Sequence, residues 1–399
     1  MGLIKVANIL QITHKIVSKG IVSIFNEAFF LINSRFIEKD SENFCLRFEL
    51  DAEYLKDPKF KFSAESKDDS IRAIELFNEA IELNPKFVFS YIGCGIAKIQ
   101  MFNSKDAVAD FSTAIEIDPN CRFAYFYRGY ANWESRNYSD AIADYTKTIE
   151  FDKNFASAYY NRGIGRYNLK EYAEAVADFS IVIEISSIGT QIYNNRGTAK
   201  AALMDYNGAI ADYTTAIEIA DSKMAYNNRG NAKKALKDYE GAIVDYTKAI
   251  EIDPDPHLYY VRGTTKWFLK DYSSAIVDYT KALEYRGKYE PEILHRRRAK
   301  KVLYNRGLVK KAIKDYEGAI GDYTKAIQID GNFAKAYFSR AIAKEALFDY
   351  DGATTDYTEA IEIDQNYGVA KTIKIDFEET IVDGIRTTIA GSTLRFNMY

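Results

Sequence analysis

Apolar residues recur at helical spacing along most of the chain. From Ala209 they stand at i, i+1, i+4, i+7 and i+8 within the segment Asp205–Ile219, which places a broad apolar stripe on one side of a helix. A nearly identical segment returns at Asp238–Ile252. The pattern predicts amphipathic helices that pack on neighbours, and its return predicts a repeated structure.

The length of the repeat follows from the first alanine of this segment. That alanine recurs at Ala73, Ala107, Ala141, Ala175, Ala209, Ala242, Ala275, Ala319 and Ala353. Seven of the eight steps are 33 or 34 residues long, and one is 44. We therefore predict a tandem array in which one repeat carries about ten extra residues.

Each repeat predicts two helices. The second helix follows a short polar residue, such as Asp205, that suits an N-cap. The first helix contains the pattern Tyr-x-x-Arg-Gly-x-x-Lys, as at Tyr193, Arg196, Gly197 and Lys200. Because glycine lowers helix propensity, we expect another helix to approach the backbone closely at this position.

A 34-residue helix–turn–helix unit with this spacing resembles the tetratricopeptide repeat. The residues that carry the resemblance in the first repeat are Tyr91, Gly95, Ala107, Phe111, Ala114 and Pro119. Tyrosine stands in place of the family's tryptophan, and Ala341 replaces the glycine in the last repeat. The resemblance implies an all-α fold, an α-α superhelix built as a right-handed solenoid of helix-turn-helix repeats. It also implies a non-enzymatic function in binding other proteins.

The repeats divide the chain into four predicted regions. Residues 87–365 form eight repeats, with an insertion near 285–300. Residues 67–86 read as an N-terminal capping helix, and 366–399 as a C-terminal capping helix and tail. Such ends are expected because each repeat buries its apolar face only on its neighbours. Residues 1–66 are interpreted as an N-terminal helical segment of unknown role.

Composition and motif content exclude several classes of function. The formal net charge is −4, which disfavours a nucleic-acid partner, since such proteins usually present a basic face. The three cysteines and three histidines lack metal-ligand spacing, so we expect no metal, no cofactor and a reducing, cytoplasmic location. No catalytic motif is found. No uncharged run approaches the ~20 residues of a transmembrane helix.

In seven repeats an arginine directly precedes the repeat glycine, or Ala341 in the last repeat, and an aspartate follows the arginine sixteen residues later. The pairs are Arg128 and Asp144, Arg162 and Asp178, Arg196 and Asp212, Arg229 and Asp245, Arg262 and Asp278, Arg306 and Asp322, and Arg340 and Asp356. A guanidinium and a carboxylate match geometrically, so we predict a structural ladder that links the two helices. A ligand role for the arginines, as receptors for phosphate or carboxylate, is the alternative.

The position two residues before the glycine is the candidate ligand position. It holds Asn161, Asn195, Asn228 and Asn305, and in the family this slot lies in the concave groove, where asparagine holds a bound peptide's backbone. Neighbouring candidates for the groove are Asn194, Asn227, Asn231, Tyr127, Tyr160 and Tyr304. An asparagine amide both donates and accepts, so it can pair with a peptide unit of any sequence. Alternatively, asparagine is merely tolerated on an exposed face and was copied by duplication.

These features predict a module that binds an extended segment of another protein in its groove. The alternatives are an assembly scaffold that uses convex or edge surfaces, and a membrane-peripheral adaptor anchored by the N-terminal segment. The family's carboxylate clamp is not favoured, because no repeat has lysine three residues before the glycine. The basic run 295–301 is either a solvated face or a site for an acidic partner. The partner's identity and the oligomeric state stay open.

Overall fold

A computed structural model describes residues 67–186, 189–285 and 292–367, and within these ranges every regular element is an α-helix. The helices are α1 Lys67–Leu83, α2 Val88–Gln100, α3 Ser104–Ile117, α4 Arg122–Glu134, α5 Tyr138–Phe151, α6 Ala156–Asn168, α7 Tyr172–Ile185, α8 Thr190–Ala202, α9 Tyr206–Ile219, α10 Lys223–Ala235, α11 Tyr239–Ile252, α12 Pro256–Phe268, α13 Tyr272–Glu284, α14 Glu292–Ala312, α15 Tyr316–Ile329, α16 Ala334–Glu345 and α17 Tyr350–Ile363.

The chain forms two compact units, Met1–Asp221 and Ser222–Tyr399. Helices α2–α9 make repeats 1–4 in the first unit, after the single helix α1, and α10–α17 make repeats 5–8 in the second unit. In each unit every helix packs on the next, and several first helices also touch the first helix of the following repeat. Each unit is an all-α superhelical solenoid, so the predicted fold class is confirmed.

In repeats 1–7 an aromatic ring of the second helix packs directly on the glycine of the first helix. In repeat 4 the Tyr213 ring covers Gly197 so closely that a Cβ added there would stand 2.8 Å from the ring. Ala209 and Ala216 on the same helix are fully buried. The glycine therefore serves the close approach of the second helix, which is the reason expected from the sequence.

The turn between the two helices of a repeat has a left-handed residue. Met204 has φ 63°, and the amides of Met204 and Asp205 donate to the carbonyls of Ala201 and Lys200 at 3.0 Å. This is a Schellman C-cap, which usually takes glycine. The same conformation recurs at Phe102, Arg136, Lys170, Met204, Lys237, Lys270, Lys314 and Phe348. The Asp205 side chain then accepts from the Gly208 amide at 2.9 Å as the N-cap of α9.

Several sequence predictions fall wholly or partly outside the described residues. These are the N-terminal segment 1–66, the C-terminal tail from residue 368 onward, and residues 286–291 of the insertion. The rest of the insertion extends α14, which has 21 residues whereas the first helix of repeat 8 has 12. Within the basic run, Arg296 and Arg297 are exposed, and Arg298 donates to the Tyr285 carbonyl at 3.2 Å.

Candidate functional site

The arginine and aspartate of each repeat lie in contact across the two helices. In all seven pairs the arginine Nη2 donates to Oδ1 at 2.6–2.7 Å and Nε donates to Oδ2 at 2.8–3.0 Å. Every one of these aspartates is buried. A buried carboxylate held by a bidentate arginine is both neutralised and fixed in direction.

A second cation completes most of these sites. Four residues after the arginine, a basic side chain donates to the same aspartate at 2.7–3.0 Å: Arg166, Lys200, Lys233, Lys266, Lys310 and Lys344. This is the lysine of the repeat pattern Tyr-x-x-Arg-Gly-x-x-Lys, for which the sequence predicted no role. Its spacing of one helical turn from the arginine was the available signal.

The arginine also reaches back to the preceding repeat. In six repeats its Nη1 donates, at 2.9–3.3 Å, to a hydroxyl of the previous second helix: Ser112, Thr146, Ser180, Thr247, Thr280 and Thr324. Repeat 1 has Cys94 where the others have arginine, and its Sγ lies 3.8 Å from Asn78 Oδ1 on α1. The ladder therefore joins neighbouring repeats as well as the helices of one repeat.

After these contacts, few N–H groups of the guanidinium remain available to a ligand. Six of the arginines also stack over a tyrosine three residues earlier, with the guanidinium carbon 5.3–5.7 Å from the ring centre. The cation is thus held on one face by an aromatic ring and on its edge by carboxylate and hydroxyl oxygens. This geometry favours the structural role over the ligand role.

Repeat 2 keeps the arginine–aspartate pair but lacks the second cation, which allows a direct test of that cation's role. Asn132 stands where repeat 3 has Arg166 and the later repeats have lysine, and its amide donates to Asp144 Oδ2 at 3.3 Å. Burial raises the pKa of Asp144. Because the native state then holds a proton more tightly than the unfolded chain does, Asp144 lowers stability as pH rises through that pKa. We expect Asn132→Lys to lower the pKa of Asp144 and to raise stability near neutral pH by about 1 kcal/mol.

NMR titration of the Asp144 carboxyl carbon and urea unfolding at two pH values measure both effects. The reverse change in repeat 4, Lys200→Asn, is the matched control and is expected to destabilise. An unchanged Asp144 pKa in Asn132→Lys would contradict the role given to the second cation.

The four asparagines of the candidate ligand position are all partly exposed, but their partners differ. The Asn195 amide donates to the Tyr160 hydroxyl at 3.1 Å, and the Asn305 amide donates to the Tyr260 hydroxyl at 3.0 Å. Each bond joins this position to the first helix of the preceding repeat. The Asn161 side chain has no hydrogen-bond partner among the described residues. The asparagine side chain is therefore held in one orientation in repeats 4 and 7, whereas in repeat 3 it has no partner among the described residues.

Three predicted groove residues are buried instead: Tyr127, Tyr160 and Asn194. Tyr127 is 3% exposed, its ring stacks on Phe111 with centroids 6.0 Å apart, and burial raises its pKa. Asn194 is also 3% exposed, and Tyr160 is 9% exposed. As the helices are packed, the side chains of Tyr127 and Asn194 are not exposed to a ligand, and their assignment to the groove stays a prediction. The position in the repeat determines the direction in which a side chain leaves the helix. Side chains of the neighbouring repeat, such as Phe111 beside Tyr127, determine whether it is exposed.

The side chains of the other predicted groove residues contact other residues of the protein. Asn231 is exposed, and its Oδ1 accepts from the Tyr246 hydroxyl at 2.8 Å. The Asn227 amide lies 3.5 Å from Asn228 Oδ1. The Tyr304 hydroxyl lies 3.4 Å from Ser339 Oγ. These side chains support the asparagine position more than they offer new contacts.

Within the described ranges, no group of three or more histidine, cysteine or carboxylate side chains is placed to hold a metal ion. Burial raises the pKa of the Cys94 thiol to about 12, which keeps it protonated and unreactive. Among the helices given above, none combines the length and apolar character that a membrane span requires.

Comparison with known families gives a consistent result. Three family models described as tetratricopeptide repeat together match more than half of the chain. The matched residues are 95–155, 190–223, 224–256, 256–289, 301–333 and 334–367. No curated protein matches significantly.

Solved structures similar to this chain are repeat proteins of low sequence identity. YrrB, described as a TPR protein with an unusual peptide-binding site, is 22% identical, with 46% of this chain and 96% of YrrB covered and a TM-score of 0.43. A tetratricopeptide repeat protein from Parabacteroides merdae is 16% identical, with 66% and 99% covered and a TM-score of 0.45. Residues 41 to the end of MamA from Desulfovibrio magneticus RS-1 are 16% identical, with 42% and 94% covered and a TM-score of 0.41.

Proposed function

Since the chain belongs to the tetratricopeptide repeat family and is a protein-interaction module, we propose that its first-helix faces bind an extended segment of another protein. The first-helix face of a unit is the surface made by the partly exposed residues of its first helices. The asparagine position on this face carries the proposal. In the first unit it comprises Asn161 and Asn195, and in the second unit Asn228 and Asn305.

The hydrogen-bonding capacity of these amides supports peptide binding. Asn161 keeps its donor and its acceptor, and Asn195 keeps its acceptor after donating to Tyr160. One peptide unit needs one donor and one acceptor, so an asparagine can read the backbone without reading the side chain. Each such bond contributes about 1 kcal/mol net, so affinity rises with the number of asparagines engaged.

The tyrosines beside these asparagines favour an ordered site. Burial raises the pKa of Tyr160, while the bond from Asn195 acts in the opposite direction. The Tyr160 hydroxyl therefore stays protonated and holds the Asn195 amide in one orientation. An oriented amide loses less conformational entropy on binding than a free one does.

An assembly scaffold is the second candidate function. On the second helices of repeats 5 and 6, Val244 and Val277 occupy the same position and are 60% and 53% exposed. Exposed apolar side chains at the same position of consecutive repeats favour contact with another protein. In this function the first-helix faces would remain unoccupied.

Peptide display against the full chain tests the proposal. Peptides selected from a random library are measured by fluorescence anisotropy with the wild type and with two double variants, Asn161→Ala/Asn195→Ala and Asn228→Ala/Asn305→Ala. Loss of two backbone bonds is expected to weaken binding about thirtyfold in the double variant whose unit holds the peptide. Asn207→Ala, an exposed asparagine on α9, is the matched control and should change nothing.

Circular dichroism melts separate lost binding from lost folding. Surface substitutions of this kind usually change stability by less than about 0.5 kcal/mol. Selected peptides that bind all variants equally would place function away from the asparagine position. If the same peptides bind the double variant Val244→Lys/Val277→Lys more weakly than the wild type, the two valines identify the scaffold surface.

A further inference from the structure

The second helix begins with tyrosine in every repeat except the first. The tyrosines are Tyr138, Tyr172, Tyr206, Tyr239, Tyr272, Tyr316 and Tyr350, and repeat 1 has Ser104 in their place. In repeat 5, Tyr239 stacks on Phe268 with centroids 5.3 Å apart and planes at 8°. Phe268 ends the first helix of the next repeat, so the tyrosine covers the edge between two repeats.

Serine leaves that space open between repeats 1 and 2. Ser104 Oγ donates to Glu134 Oε2 at 2.9 Å, and Glu134 occupies the position that corresponds to Phe268. A pocket of about 390 Å³ is lined by Phe102, Ser104, Trp133 and Glu134. The stacked pair of repeats 5 and 6 is thus replaced by a pocket with a carboxylate on its wall.

Two aromatic rings form the other walls of this pocket. Phe102 is the left-handed turn residue of repeat 1 and is 94% exposed, whereas the corresponding residue is lysine or arginine in five other repeats. Trp133 stacks on Tyr130 with centroids 6.1 Å apart, which fixes the orientation of the indole. Phe102 therefore offers an exposed apolar ring at the edge of the pocket, as Phe348 does at the same turn of repeat 8, where it is 78% exposed.

The carboxylate is held as an acceptor. Besides the bond from Ser104, the charge of Glu134 contributes, after burial, to raising the pKa of Tyr130 to about 12. Tyr130 therefore stays protonated beside Glu134. Besides Glu134 and Ser104, the lining residues are the aromatic Phe102 and Trp133, and no cation is among them.

We propose that this pocket binds an arginine side chain of a partner protein. A guanidinium is planar, stacks on aromatic faces and pairs with a carboxylate through two N–H groups, so it matches both kinds of wall. The site shares no residue with the asparagine position, so it does not depend on the proposed function.

The two tryptophans of the chain make the test direct. Trp133 lies in the pocket, whereas Trp267 occupies the same helical position in repeat 6, where Tyr239 and Phe268 stack. The full chain is labelled with 5-fluorotryptophan, and fluorine NMR follows a titration with N-acetyl-arginine N-methylamide. We expect the Trp133 resonance to shift and saturate while the Trp267 resonance stays in place. The citrulline analogue, which has the same shape without the charge, is expected to shift neither resonance.

Two variants examine the walls separately. Glu134→Gln removes the charge and is expected to weaken the arginine probe at least about fivefold. Ser104→Tyr restores the residue of the other repeats, fills the pocket and should abolish the shift. Glu150→Gln, an exposed glutamate paired with Lys147 in the same repeat, is the matched control and should bind like the wild type.

Each contrary result would overturn the proposal. These are a Trp133 resonance that does not respond to the arginine probe, an equal response to the citrulline analogue, or undiminished binding in both Glu134→Gln and Ser104→Tyr. If Ser104→Tyr does not fold, as judged by circular dichroism, Glu134→Gln decides alone. The variant Asn161→Ala/Asn195→Ala should keep the response to the probe, which separates this site from the proposed peptide face.

Discussion

Asp278→Ala is expected to lower the free energy of unfolding by about 3–5 kcal/mol, a cost typical of removing one partner of a buried ion pair. Asp278 is 1% exposed and is bonded by Arg262 and Lys266 at 2.7 and 2.8 Å. Without the carboxylate, two partly buried cations face each other and have no compensating charge. Arg262 also loses the support that holds it against the Thr247 hydroxyl, so the joint between repeats 5 and 6 weakens too.

Urea unfolding of the full chain measures this effect. Asp271→Ala is the matched control, because Asp271 is an aspartate of the same repeat that caps α13 at the surface. Loss of an N-cap costs only about 1 kcal/mol. The double variant Arg262→Ala/Asp278→Ala should cost less than the sum of the single changes. A loss in Asp278→Ala no larger than in Asp271→Ala would contradict the structural ladder.

Gly307→Val is expected to destabilise repeat 7 by about 3 kcal/mol, and Gly307→Ala by about half as much. A Cβ at Gly307 would lie 2.6 Å from the Tyr323 ring, and that ring is fully buried. The ring therefore has no free space to move into, and the two helices of the repeat must separate. The better helix propensity of alanine offsets part of the cost in Gly307→Ala.

A second glycine of the same repeat should respond in the opposite direction. Gly321 is exposed on α15 and has nothing within 4 Å of the place where a Cβ would stand. Gly321→Ala is expected to raise stability by about 0.5–1 kcal/mol, because only helix propensity changes. Thermal and urea unfolding of the three variants give the comparison. If Gly307→Ala also stabilises, the ring at Tyr323 can adjust and the steric explanation fails.

Sequence periodicity was sufficient to predict the fold and part of the candidate site. The sixteen-residue interval between arginine and aspartate recurs seven times, and an interval kept so regularly indicates a contact across the hairpin. The partners on neighbouring repeats were harder to predict. The hydroxyl that Arg262 contacts belongs to Thr247 in repeat 5, and nothing within repeat 6 identifies it. A bond between repeats depends on how the helices stack, which the pattern within one repeat does not specify.

The exposed residues were predicted least well, for a related reason. Tyr127 and Asn161 share one position in the repeat, yet Tyr127 is buried by Phe111 and Asn161 is partly exposed. Position in the repeat sets the direction of a side chain, and the neighbours determine its exposure. The left-handed turn was also not foreseen. Its usual signal is glycine, whereas Met204 and Lys270 adopt it here under the constraint of the surrounding bonds.

The ladder arginine donates a hydrogen bond to the repeat that precedes its own, so the contact between two repeats has a direction along the chain. Within a unit, a repeat offers a hydroxyl to its successor and a guanidinium to its predecessor, so every internal copy carries both halves of the same coupling. Repeat 1, which follows α1, has Cys94 in place of the arginine. Recombination that duplicates or deletes one whole copy would therefore rejoin matching halves without a compensating mutation. Array length can then change in a single genetic event, and ligand-contacting positions can diverge afterwards one copy at a time.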